Sequence, residues 1–211
     1  IMPSLVGSEM CIRDRPSQSK VMTEYSVLGA EHIWEGPDHL MFVFGLLLLV
    51  GGGARLFWTI TAFTLGHSVT LALVTLGFLT YSVALIEFAI AVSIFVLALA
   101  LARKDNSGLF KRHPWWLASG FGLLHGMGFA GALAEIGLPQ SNVPLALLFF
   151  NVGIEIGQIA FVMLVLALWW CINRPIVLDR IAIQKLLPIP VYLLGGLSAM
   201  WCIERGLEIL G

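Results

Sequence analysis

Residues 32–50 read HIWEGPDHLMFVFGLLLLV, two histidines and an aspartate set directly against an apolar run. Pro37 suits the first turn of a helix, where its missing N–H costs nothing. From Leu40 to Val50 only Gly45 interrupts the apolar side chains. The stretch therefore predicts a lipid-facing helix that opens on His32, Asp38 and His39. Isolated ionisable groups are expensive in hydrocarbon, and those that persist there mark a pathway, a ligand or a proton relay.

Composition extends the membrane assignment to the whole chain. Hydrophobic residues make up 58% of the 211 and charged residues 12%, with a mean hydropathy of +0.91. Soluble domains carry about 25% charged residues. A net charge of −1 leaves no basic face for nucleic acid. Of the three cysteines, Cys11 lies near the start, and Cys171 and Cys202 sit in apolar runs. That pattern suggests neither a disulfide framework nor a thiolate metal site.

The opening segment IMPSLVGSEMCIRDR, residues 1–15, has no helical or strand period and no apolar core of signal-peptide type. It resembles a translated sequencing adapter and is expected to be a non-native leader. Residues 16–31 then form an outer N-terminal segment, and residues 32–211 the membrane domain.

A spanning helix needs about 20 apolar residues. Six segments qualify: 37–54, 56–79, 82–102, 115–134, 143–171 and 187–209. The expected fold is thus all-α, a polytopic bundle of six transmembrane helices, or seven if a native span precedes residue 16. Of the twelve Lys and Arg, Arg13 and Arg15 lie in the leader. Arg55, Arg103, Lys104, Lys111, Arg112, Arg174, Arg180 and Lys185 fall in loops one, three and five, whereas Lys20 and Arg205 lie on the other side. The positive-inside rule puts the odd loops in the cytoplasm and both termini outside.

Orientation turns sequence position into depth. Asp38 and His39 stand at the outer end of span one, with His32 just before it, and Glu87 near the outer end of span three. His67 and His125 fall near the midplane of spans two and four. In FFNVGIEIGQIAF, Asn151, Glu155 and Gln158 share one helical face. Gly66, Gly126, Gly128, Gly153 and Gly157 flank these positions, and small residues let helix backbones approach closely.

Taken singly, several of these residues have plain roles. His67 or His125 alone can be a hydrogen-bonded packing residue, Thr64 and Ser68 can cap neighbouring carbonyls, and Asn151 and Gln158 can join helices. Together they are harder to explain that way. No Lys or Arg inside the spans is expected to neutralise Asp38, Glu87 and Glu155, and an unpaired carboxylate at the midplane costs on the order of 3 kcal/mol. A bound cation would satisfy the carboxylates and four imidazoles at once. Imidazole with carboxylate and no thiolate favours a borderline divalent ion such as Ni²⁺, Co²⁺ or Zn²⁺. Mg²⁺ and Ca²⁺ prefer all-oxygen sites.

The motifs HIWEGPDH, FTLGHSVTLAL, IEFAIAVSI, GLLHGMGFAGAL and FNVGIEIGQ together resemble the HupE/UreJ family of hydrogenase and urease accessory membrane proteins. The resemblance runs from about residue 29 to the C-terminus. It implies a secondary nickel permease of a bacterial inner membrane, with His32, Asp38, His39, Glu87 and His125 as candidate ligands. The nickel-permease branch carries Phe-His-Gly-x-Ala/Val-His-Gly-x-Glu in its fourth span. Here LLHGMGFAGALAE keeps only His125 of that signature, and Glu155 is the candidate replacement for the missing carboxylate.

The expectation is therefore a divalent-metal permease or metal-handling accessory protein, with lipid and the ion as partners and a homo-oligomer left open. Its metal residues are His32, Asp38, His39, His67, Glu87, His125 and Glu155, supported by Ser68, Asn151 and Gln158. Two alternatives stand beside it. One is an intramembrane zinc hydrolase in which Ser68 assists an oxyanion. The other is a metal-stabilised structural subunit.

Overall fold

A computed structural model of the chain describes residues 17–103, 112–136, 142–172 and 188–210. The leader, residues 1–15, lies outside the described residues, as do the loop positions of Lys104, Lys111, Arg174, Arg180 and Lys185.

The described residues form seven helices and no strand: α1 (Gln18–Glu35), α2 (Pro37–Val50), α3 (Ala54–Thr75), α4 (Val83–Ala102), α5 (Pro114–Ile136), α6 (Val143–Ile172) and α7 (Ile189–Leu210). The first of these was not anticipated. Residues 18–35, treated above as an outer segment and the approach to span one, are a helix whose Ser17 cap accepts a hydrogen bond from the Lys20 N–H. Val21, Tyr25, Gly29 and Ile33 recur every fourth residue and are all buried. Glu24 and Glu31 fall between them, and Lys20 and Glu35 flank them. These charges hide an apolar face from any search for a continuous apolar run.

α2 has 14 residues and is about 21 Å long, short of the roughly 30 Å of a hydrocarbon core. It does not stand alone, because α1 and α2 have spanning length and composition only as a pair, bent by 78° at their break. α3, α4 and α6 meet the criteria singly, so the described residues contain three candidate spans, or four if the bent pair is one. Six were expected. α5 and α7 are also long enough, at 23 and 22 residues, and α7 carries Glu204, Arg205 and Glu208 in its last turns, which lower its hydropathy.

Backbone contact sets the helix pairs. Cβ atoms added at Gly66 and Gly122 would overlap the carbonyl oxygens of Ser119 and Phe63, which seats α3 directly on α5. Gly29 and Gly153 do the same between α1 and α6, against Phe150 and Ser26. Gly122 with Gly126, and Gly153 with Gly157, are spaced as small-xxx-small pairs, the pattern that permits such approach in lipid. The turn between α2 and α3 uses Gly51 and Gly53 at φ of 79° and 92°, values that favour glycine.

Two apolar clusters result. One gathers Phe42, Leu46, Ile60, Phe63, Ile94 and Leu97 between α2, α3 and α4. The other packs Val21, Ile33, Phe150 and Ile154 between α1 and α6, with Leu71 from α3. The histidines touch both, since His125 meets Phe42 and Phe63 while His32 meets Phe150.

Candidate metal centre

The break between α1 and α2 builds the centre. Gly36 closes α1, with its N–H donating to the His32 carbonyl, and also precedes Pro37 at the start of α2. Asp38 falls in the first turn of α2, where the helix dipole favours a carboxylate. Adjacent residues on a helix point about 100° apart, yet Asp38 folds back onto its neighbour. Its Oδ1 accepts from the His39 N–H at 2.9 Å and lies 2.9 Å from His39 Nδ1. In a neutral imidazole, donation from Nδ1 to the carboxylate leaves Nε2 with its lone pair for a metal.

His125 arrives from α5. Potential ligand atoms of Asp38, His39 and His125 all lie within 4.8 Å of one another, and the two histidines are buried. His32 stands beside them, its ring centroid 4.5 Å from that of His39. His67 is 6.0 Å from His32 and 6.1 Å from His39 by the same measure. Phe129, 3.8 Å from His32, and Phe63, 5.2 Å from His125, supply apolar walls.

The imidazoles are poorly satisfied by protein. Among the described residues, His32 Nε2, His39 Nε2, His125 Nδ1 and both ring nitrogens of His67 are buried without a hydrogen-bond partner. Such groups are rare in native interiors and call for an ion, a water or a functional role. Ser93 Oγ lies 3.5 Å from His125 Nε2. A cavity of about 330 Å³ opens over the group, lined by His32, Asp38, His39 and His125 together with Glu31 and Glu35. A half-buried carboxylate with imidazoles whose nitrogens lack partners is a donor set for a borderline transition ion, so the residues fit the expected metal.

The remaining predicted residues are elsewhere. Glu87 lines the same cavity but is ion-paired with Arg205 of α7. This corrects the expectation that no basic residue neutralises it: α7 carries Arg205 against α4. Glu155 accepts a 2.6 Å hydrogen bond from Thr61, and Gln158 one of 3.1 Å from Thr64, which places both on the α3–α6 contact. Asn151 donates to the Leu147 carbonyl at 2.7 Å. Ser68 donates to the Thr64 carbonyl at 2.7 Å.

Gly36 and Arg205 escaped the sequence reading, and Ser93 with them. A lone glycine before Pro37 carries no chemical signal, and Arg205 became legible only when α7 was seen against α4.

The pattern described as HupE / UreJ protein matches residues 8–205, nearly the whole chain. The chain belongs to this family. No curated protein and no solved structure matches it. As a HupE/UreJ protein with three or four apolar candidate spans, it is a membrane protein from a family linked to metal handling.

Proposed function

We propose that this HupE/UreJ protein takes a divalent transition-metal ion, of the Ni²⁺, Co²⁺ or Zn²⁺ class, as its cargo and moves it inward across a bacterial inner membrane. The observation that carries the proposal is the convergence of Asp38, His39 and His125 within 4.8 Å beside imidazole nitrogens that have no protein partner. Three protein ligands leave coordination positions open, so an ion can arrive with water and leave again. His32 and His67 flank the three and would accept the ion as it moves. On the expected topology, with both termini outside, the α1–α2 break would fall in the outer half of the bilayer. Broken helices are where secondary transporters commonly bind their cargo.

Elemental analysis of the purified protein after incubation with Ni²⁺, Co²⁺ or Zn²⁺ tests this. The wild type should retain about one ion per chain, and Asp38→Asn or His39→Ala should weaken affinity by about 10–100-fold. Full retention by both variants, each still helical by circular dichroism, would refute the metal site. Uptake into vesicles, lost in the same variants, separates a carrier from a static metal protein.

A further inference from the structure

Among the described residues lining the cavity, Arg205 is the only Lys or Arg. It enters a space that Glu31, Glu35, Asp38 and Glu87 also line, and it takes Glu87 as its partner. Such a placement is unexpected in a chamber that receives cations. α7 delivers the guanidinium through a close contact at the next residue: a Cβ on Gly206 would lie 3.4 Å from the Phe88 ring, beside Glu87 on α4.

Glu87 is not part of the group of three. On α4, Ser93 is the residue that meets His125. Glu87 stands about 9 Å along the helix axis from Ser93. The ion pair is only partly shielded, with side-chain exposure of 38% for Glu87 and 30% for Arg205. Pairs this open are weakly held. One guanidinium blocks one carboxylate, and a dication brings twice the charge to the same oxygens.

We propose that Arg205 is the positioning residue of the cavity mouth: it holds Glu87 in an ion pair that an entering dication must displace, so the pair sets the rate at which ions reach Asp38, His39 and His125. This rests on the metal reading of the centre. In this scheme Glu87 is one of the cavity carboxylates an ion meets before Asp38, and Arg205 returns to it once the ion has moved on. The pair thus acts on the kinetics of loading more than on final affinity.

Stopped-flow association of Ni²⁺ with the purified full chain at fixed ionic strength tests the proposal. Arg205→Gln should speed association by about two- to fivefold, the range an exposed pair represents, and Arg205→Lys, which keeps the charge, should stay at the wild-type rate. In a Glu87→Gln background Arg205→Gln should add nothing, because the carboxylate it guards is gone. Equal acceleration in that background would show a general field effect and overturn the proposal, as would an unchanged or slower rate in a folded Arg205→Gln protein. If that variant does not fold, Glu87→Gln alone carries the test: association should slow, and an unchanged rate overturns the proposal. A wild type that binds no Ni²⁺ sinks the metal reading with it, whereas Ni²⁺ binding that depends on His39, without coupling between Glu87 and Arg205, sinks only the role of Arg205.

Discussion

At Gly36 an added Cβ would lie 2.6 Å from His39 Nδ1 and 3.0 Å from Asp38 Oδ1. Its φ of −86° is ordinary, so the constraint is space rather than backbone conformation. Gly36→Ala should push the Asp38–His39 pair apart and lower metal affinity by about tenfold or more while helix content stays at the wild-type level. Gly52→Ala, where nothing lies within 4 Å, should leave affinity unchanged. Calorimetric titration of both variants with Ni²⁺ checks the pair, and equal affinities would remove Gly36 from the site. Asp38, His39 and His125 were legible from residue type against an apolar background, because carboxylate and imidazole in hydrocarbon demand a reason. Gly36 was not legible, since its role is the absence of a side chain beside two particular atoms.

Helix pairs carry the next level of constraint. On α5, a Cβ at Gly126 would overlap both the His67 carbonyl oxygen and Thr70 Oγ1. Gly126→Val should therefore force α3 and α5 apart, destabilise the protein by about 1–3 kcal/mol and weaken metal binding, because His125 precedes Gly126. Gly196→Ala on α7 meets nothing within 4 Å and should be neutral in both respects. Thermal unfolding in detergent, with metal content measured in parallel, checks these outcomes; a Gly126→Val protein as stable as the wild type would contradict the backbone contact. Glycine spacing beside His67, His125 and Glu155 points by itself to close helix approach. It did not reveal which helices meet. Glu155 and Gln158 share their face with Asn151 as expected, but they turn to Thr61 and Thr64 rather than to the cavity. The hidden helix α1 belongs to the same lesson: its buried face repeats every fourth residue, while the charges between lower the average hydropathy that reveals a span.

For the whole molecule, the distribution of Lys and Arg predicts that residues 103–113 face the cytoplasm and residues 137–142 the outside. In a background without other cysteines, Ser107→Cys should react with an impermeant maleimide only after the inner face is exposed. Ser141→Cys should react from outside in intact cells. The reverse pattern would place the cavity on the cytoplasmic side and turn entry into exit. Membrane character, helical class, family and the residue types of the metal centre all follow from composition and local pattern, because each depends on what a single segment can do in lipid. The 78° break between α1 and α2, the choice among seven candidate metal residues and the pairing of Glu87 with Arg205 do not follow. They depend on which backbones come into contact, and residues as far apart in sequence as 38 and 125, or 87 and 205, meet only when glycine-lined helix faces have packed.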